Sequence, residues 1–490
     1  MVFSSVEFLF LFLPVVLLIY FTLGKGIRNI FLTFASLCFY FWGENYLIWI
    51  MLLSTAIDYT SGLIISDGIR NKPSQLDPEA KRTKKQKMGL ILSLISNLAL
   101  LGYFKYSNFF VESFVGTYGF LGLDTEALRS FGHVALPLGI SFYTFQSMSY
   151  TIDVYMGQVK ATRNFINFAC YVTLFPQLVA GPIVRYRDIE FQLRNHTVTM
   201  NEFSAGVLRF VLGLIKKVII ANSVAQVADA VFSMPDSEIG FAMAWLGVLA
   251  YTIQIYFDFS GYSDMAIGLG QMFGFRFLEN FNYPYIATSI QDFWRRWHIS
   301  LSTWWRDYLY IPLGGSKCSS ARTYFNLIIV FFLCGLWHGA SWTFAVWGLY
   351  QGFFLIIERA GFSNILKKLP IAMRHVYAII IFMFGWVIFR AETFHQALIF
   401  SKAMLGLNGN SFHLFKDFNN YNIGMIALGV LFSAPVYPKM AEMYGIVRSR
   451  HSNIWTLADI TGYAVIFILF LFCILNLSAG TYNPFIYYRF

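Results

Sequence analysis

Apolar residues along this chain fall in long blocks broken by short polar stretches. Blocks of spanning length lie at about 7–24, 29–43, 46–66, 88–108, 134–155, 204–222, 241–260, 324–338, 342–358, 376–391, 421–438 and 454–478. A helix needs ~20 residues to cross the hydrocarbon, fewer where the bilayer thins or protein surrounds it. The pattern predicts an all-α polytopic membrane protein of about 12 spans, several of them short, with residues 1–490 forming a single integral membrane domain. A further stretch, 165–183 (FINFACYVTLFPQLVAGPI), contains Pro176, Gly181 and Pro182. These residues break a helix, so the segment is expected to dip in and return to the face it left.

The polar interruptions orient the blocks. The longest, Asp67 to Lys87, holds Arg70, Lys72, Lys81, Arg82, Lys84, Lys85 and Lys87, which places it in the cytoplasm. Counting back three spans puts the N-terminus outside. The first 24 residues contain no Lys or Arg, and Lys25 and Arg28 follow the apolar run. That is the reverse of a signal peptide and reads as an uncleaved first span. Counting forward, 109–133 is external and Lys160 with Arg163 internal. The loop at 223–240 carries Asp229, Asp236 and Glu238 without a basic residue, as an external loop should. Arg359–Arg374 and the loop with Arg448 and Arg450 are internal again, and both termini fall outside.

Composition sharpens the class. Hydrophobic residues make up 57% and charged residues 13%, about half the usual charged share of a soluble domain. Aromatics at 19% suit belts at the two membrane interfaces. A net charge of +10 would fit nucleic-acid binding, but the basic residues sit in short loops where they set topology. Cys38, Cys170, Cys318, Cys334 and Cys473 are scattered, with no CxxC and no Cys/His ligand spacing. They are expected to be buried apolar residues, with neither disulfide nor metal site.

Four polar islands interrupt this lipid-adapted sequence. In IYFDFSGYSDMAIGLG (255–270), Asp258 and Asp264 either lock helices by pairing with basic residues or form the polar wall of a cavity. In IQDFWRRWHISLSTWWRDYLYIPLGGS (290–316), Trp294, Trp297, Trp304 and Trp305 alternate with Arg295, Arg296, His298, Arg306 and Asp307. Such a segment suits an interfacial anchor on lipid phosphates. Its guanidiniums equally suit the phosphates of a nucleotide-like donor. In LPLGISFYTFQSMSYTIDVY (136–155), Ser141, Tyr143, Gln146, Ser149 and Asp153 make a polar stripe, which fits either a hydrogen-bonded helix seam or a tunnel lining.

The fourth island is His338, within CGLWHGASW (334–342). An ionisable ring in an apolar tract is either a hydrogen-bonded core residue or a functional group. Burial favours the uncharged imidazole. A neutral ring could take the proton from a hydroxyl attacking a thioester and return it to the leaving thiolate. Gly335, Gly339 and Gly348 allow close backbone approach or a bend, and Trp337 and Trp342 can shield the ring from water. No Gx4GK[ST], HExxH or GxSxG motif is present, so ATP use, zinc chemistry and serine hydrolysis lose support.

FWRRWHISLSTWWRDYLYIPLGGS followed by CGLWHGASWTFAVWGLYQG resembles the membrane-bound O-acyltransferase (MBOAT) family. The similarity is to its AlgI type, the membrane subunit of alginate O-acetylation. MVFSSVEFLFLFLPV, LFPQLVAGPIVRY and FDFSGYSDMAIG are similar too, so the resemblance covers nearly the whole chain. It implies an MBOAT-like ring of tilted helices around a central funnel, in a bacterial inner membrane, with the catalytic core at about 134–358. It implies that His338 is the family's catalytic histidine and His298 the second. Acetyl-CoA is then the cytoplasmic acyl donor, with no bound cofactor, and a periplasmic or membrane-anchored partner completes acetylation of the polymer. Arg295, Arg296 and Arg306 are candidate contacts for the donor's phosphates, and Asp258, Asp264 and Trp337 are further candidates for binding substrate or donor.

Two alternatives stay open. D-alanyl transfer to teichoic acid would use the same fold. A secondary transporter without acyl chemistry would also place carboxylates such as Asp258 and Asp264 within the membrane.

Overall fold

The computed structural model describes the chain except residues 70–72, 127–131, 196, 411, 413–414, 449–451, 481 and 485–490; of 443–448 and 452–458 it describes the backbone alone. Arg70, Lys72 and Arg450, counted above among the loop charges, lie outside the described residues. Every regular element among the described residues is helical. Two sets of residues pack as compact units. One comprises Met1–Val2, Glu7–Gly206 and Leu269–Leu278; the other comprises Phe3–Val6, Val207–Gly268 and Glu279–Phe490.

Among the described residues six helices are long and apolar enough to cross a bilayer, or seven if the pair Asn420–Phe432 and Val436–Glu442, bent by 60°, counts as one span. The expectation of about 12 spans is not confirmed by this count. Apolar blocks record burial in protein as well as contact with lipid. The block at 134–155 becomes a 17-residue helix buried along nearly its whole length. The block at 342–358 gives 16 residues, and the block at 204–222 changes to π-helical geometry at Lys216–Ala221.

The first unit contains α1 (Leu13–Thr22), α2 (Arg28–Glu44), α3 (Ile48–Ile65), α4 (Lys84–Phe120), α5 (Ile140–Met156), α6 (Phe165–Thr173), α7 (Phe175–Leu178) and α8 (Tyr186–Arg194). Part of its buried polar set is paired across helices, as an apolar surround favours. Asp58 on α3 accepts from Ser93 Oγ at 2.5 Å and from Asn97 Nδ2 at 2.8 Å. Ser93 in turn meets Thr151 of α5 at 2.8 Å. The polar stripe predicted on α5 contributes to this seam. Ser141 accepts from Lys105 Nζ at 3.1 Å, Ser149 donates to the Gln146 carbonyl, and Asp153 faces Arg187 at 3.6 Å. Tyr143 and Gln146 are also fully buried. The proline- and glycine-bearing segment at 165–183 is broken into α6 and α7, with Pro176 in the first turn of α7.

The second unit begins within α9 (Met200–Ile215), which continues through the π-helical segment into α10 (Asn222–Phe232). There follow α11 (Phe241–Met272), α12 (Ile290–Arg296), α13 (Ile299–Trp305), α14 (Ser320–His338), α15 (Trp342–Ile357), α16 (Ser363–Lys368) and α17 (Ile371–Arg390). Four more helices complete it: α18 (Phe394–Met404), α19 (Asn420–Phe432), α20 (Val436–Arg448) and α21 (Ser452–Ser478).

The pair α14 and α15 forms a tight antiparallel hairpin, and the sequence HGAS makes its tip. His338 is the last helical residue of α14, and Gly339 leaves the helix in an extended conformation. Ser341 then caps α15 by accepting from the Phe344 N–H. An added Cβ at Gly335 would collide with the Phe344 carbonyl oxygen and stand 3.1 Å from the Gly348 Cα. At Gly348 it would meet the Phe331 carbonyl oxygen. The two backbones touch because neither crossing residue has a side chain.

Candidate active site

Both motif histidines lie in the second unit, and His338 stands at the tip of the hairpin. His338 ends α14, and its ring is walled by Trp347 at 5.1 Å and Phe389 at 5.4 Å, both edge-on. His298 precedes α13 with φ 43° and ψ 55°, the left-handed region that costs a non-glycine residue about 1–3 kcal/mol. The two imidazole centroids are 6.5 Å apart. Trp337 lies 6.2 Å from His298 and 5.1 Å from His338. Exposure is 0% for His298 and 5% for His338, so neither ring meets bulk water. Burial, and then the neighbouring His338, hold His298 well below the usual imidazole range, so it is neutral near pH 7.

The strained backbone at His298 is held by Asn280. The Asn280 side-chain oxygen meets His298 Nδ1 at 3.1 Å, the Ser300 backbone N–H at 3.2 Å and Ser300 Oγ at 2.9 Å. Its backbone carbonyl accepts from the Ile299 N–H at 2.9 Å. On the far side Phe259 packs edge-on at 4.6 Å.

Beside the pair is a partly open cavity of about 500 Å³ within the same unit. Arg295 and Arg306 are its charged lining, with Trp294, Trp305, Ile299 and Cys334 among the rest. Along α14 the lining runs from Leu327 to Cys334, about 10 Å of helix. Neither histidine lines it. Cys334 lies one turn, about 6 Å, before His338, and Ile299 directly follows His298.

The structure separates the residues singled out from sequence. Arg295 and Arg306 reach the cavity, whereas Arg296 turns away and pairs with Asp292 at 2.9 Å on its own helix. Asp258 pairs with Lys217, both buried. Asp264 sits between Arg209 at 2.8 Å and Lys216 at 2.6 Å. Both carboxylates thus tie α11 to the segment 209–217, and neither lines the cavity. The expectation that all five cysteines are buried holds for Cys170, Cys334 and Cys473 only; Cys38 is exposed and Cys318 intermediate. Cys38 lies on an apolar helix, where exposure to lipid costs a thiol little.

Sequence reasoning missed three supporting residues. Asn280 is one. Gln351 accepts from the Trp294 indole N–H at 3.3 Å. Glu358 accepts the Ile290 and Gln291 backbone N–H groups at 2.6 and 3.0 Å, fixing the start of α12. A signal for Glu358 was present, because a carboxylate closing an apolar run needs a partner.

An all-helical chain with several membrane-spanning helices, a buried imidazole pair and a cavity bearing two guanidiniums has the equipment of an integral membrane transferase. Residues 158–395 match MBOAT, the membrane-bound O-acyltransferase family. Over the full length of both chains it is 42% identical to the probable alginate O-acetylase AlgI of Azotobacter vinelandii. Identity to the protein of that name from Pseudomonas aeruginosa is 46%, over 88% of this chain and 79% of the other. To the peptidoglycan O-acetyltransferase of Helicobacter pylori it is 38%, over 91% of this chain and 88% of the other. The chain belongs to the membrane-bound O-acyltransferase family, in its AlgI type. It is a multi-pass membrane protein and an acyltransferase.

Proposed function

We propose that this chain takes acetyl from cytosolic acetyl-CoA and passes it across a bacterial inner membrane for O-acetylation of an exported polysaccharide, alginate-type, completed by a periplasmic or membrane-anchored partner. The observation that carries the reading is the imidazole pair, 6.5 Å apart and buried, beside the arginine-bearing cavity, with His338 one helical turn beyond its lining residue Cys334. Neutral His338 takes the proton of an acceptor hydroxyl as its oxygen attacks the thioester carbonyl. The C–S bond then breaks, and the sulfur receives that proton from the imidazolium, leaving an O-acetyl ester and a free thiol. His298 orients the donor or assists the proton transfer. Arg295 and Arg306 offer forked donors to the phosphates of the coenzyme.

The direction of transfer is supported by charge and geometry together. The cavity includes Leu355 and Gln291, and Glu358 joins the start of α12 to the end of α15. The next residue opens the basic stretch Arg359–Arg374, which the positive-inside rule places in the cytoplasm. From there the lining climbs α14 toward the hairpin tip, where His338 stands. By the same rule the N-terminus is periplasmic. The names of the similar proteins favour acetyl as the group and a cell-surface glycan as the acceptor.

Substituting the two cavity arginines tests the donor assignment. Arg295→Ala/Arg306→Ala should raise KM for acetyl-CoA about 10-fold or more, with kcat far less affected, because a phosphate contact remote from the carbonyl is uniform binding. Arg296→Ala should leave KM near the parent value. Equal KM in all three proteins would remove the donor from this cavity.

A further inference from the structure

We infer that Asn280 is the positioning residue that sets the tautomer of His298, protonated at Nδ1 and bare at Nε2; its role in the reaction rests on the reading of the histidine pair given above. The Ser300 backbone N–H can only donate, and it meets the Asn280 side chain at 3.2 Å. The atom facing it is therefore the amide oxygen rather than the nitrogen. That same oxygen receives Ser300 Oγ at 2.9 Å and lies 3.1 Å from His298 Nδ1. An amide oxygen only accepts, so Nδ1 carries the proton. A neutral imidazole has one N–H, which leaves Nε2 as the lone-pair nitrogen.

His298 Nε2 is buried and has no hydrogen-bond partner among the described residues. A buried acceptor is costly without a donor, and a substrate hydroxyl or thiol would supply one. The backbone reinforces the ring's position. Asn280 carbonyl accepts from Ile299, and the Asn282 N–H donates to the Arg296 carbonyl, both at 2.9 Å. Strand-like pairing of 280–282 with 296–299 thus brackets the left-handed residue and aims its side chain. Asn280 does not line the cavity, and its effect on the reaction runs through His298.

The ring nitrogens give a direct test. In protein labelled with 15N-histidine, the His298 signals are those lost in His298→Gln, and chemical shift distinguishes a bare nitrogen from an N–H. The parent should show its proton on Nδ1. In Asn280→Ala the proton should move toward Nε2, and acetyl transfer should fall by about 10-fold or more, since a wrong tautomer disables a catalytic imidazole. Asn280→Asp keeps an acceptor oxygen and should keep Nδ1 protonated; it carries the test if the alanine variant does not fold. A proton on Nε2 in the parent, loss of the Nδ1 proton in Asn280→Asp, or an unchanged tautomer in Asn280→Ala would overturn the assignment. A changed tautomer with transfer at the parent rate would overturn the positioning role. Full transfer in His298→Gln would instead strike the underlying reading, and the role of Asn280 in the reaction would fall with it, whatever the nitrogen shifts show.

Discussion

His338 and the cavity are separated by one turn of α14, and Cys334 occupies that turn. It lines the cavity and is 3% exposed. A thioester approaching along α14 must pass this small side chain to bring its carbonyl to the imidazole. Cys334→Trp should therefore cut acetyl transfer by about 10-fold or more, comparable to losing a positioned acid–base group. Cys334→Ala, which makes no bulk and removes the sulfur, should transfer at close to the parent rate. Labelled acetyl transfer by the purified variants checks both. Loss of activity in the alanine variant would point to thiol chemistry in place of a steric path.

At the scale of elements, the hairpin of α14 and α15 presents the catalytic candidate. Gly335 and Gly348 let two backbones meet, and the meeting sets where the helix ends and where His338 stands. Gly348→Leu must push the helices apart, because the obstacle is the Phe331 carbonyl rather than a movable side chain. The expected cost is about 1–3 kcal/mol as overpacking, read as a lower melting temperature in detergent, with loss of transfer at temperatures where the protein is still folded. Much of this element was legible in the sequence. Glycines one, three and ten residues from His338 announced a close crossing, and the doublet of histidine motifs announced a site. Other features were not legible because they depend on which side of a helix faces which neighbour. Arg295 and Arg296 are adjacent, yet one lines the cavity and the other pairs with Asp292. Asn280 sits 18 residues from the ring it touches, a separation that no local pattern spans. The number of spans was not legible for a related reason, since hydropathy does not separate a helix buried in protein, such as α5, from one bathed in lipid.

At the scale of the whole molecule, buried ion pairs hold the long apolar helices in register. Lys217, on the π-helical segment, and Asp258, on α11, are both buried and pair with each other, and Lys217 also donates to the Pro484 carbonyl. Asn483 bonds Asn222 at 3.1 Å and the Ser4 carbonyl at 3.0 Å, so residues from both ends of the chain gather on α10. Lys217→Met removes the ion-pair partner of a buried carboxylate and should destabilise by about 3–5 kcal/mol. Pairing it with Asp258→Leu should recover most of that loss, which thermal unfolding of the single and double variants would show. Failure of the double variant to recover would mean that the tail contact, rather than the charge pair, is what Lys217 supplies.

The most direct measurement uses sealed vesicles with labelled acetyl-CoA on the cytoplasmic face, the polysaccharide-modifying partner and acceptor on the other, and His338→Ala beside the parent. The parent should deliver label to the acceptor across the membrane. The variant, folded and inserted equally well, should fall by about 100-fold or more, as loss of a general base requires. Delivery at the parent rate by His338→Ala, or delivery by the parent only when acetyl-CoA is placed on the acceptor's own side, would contradict it.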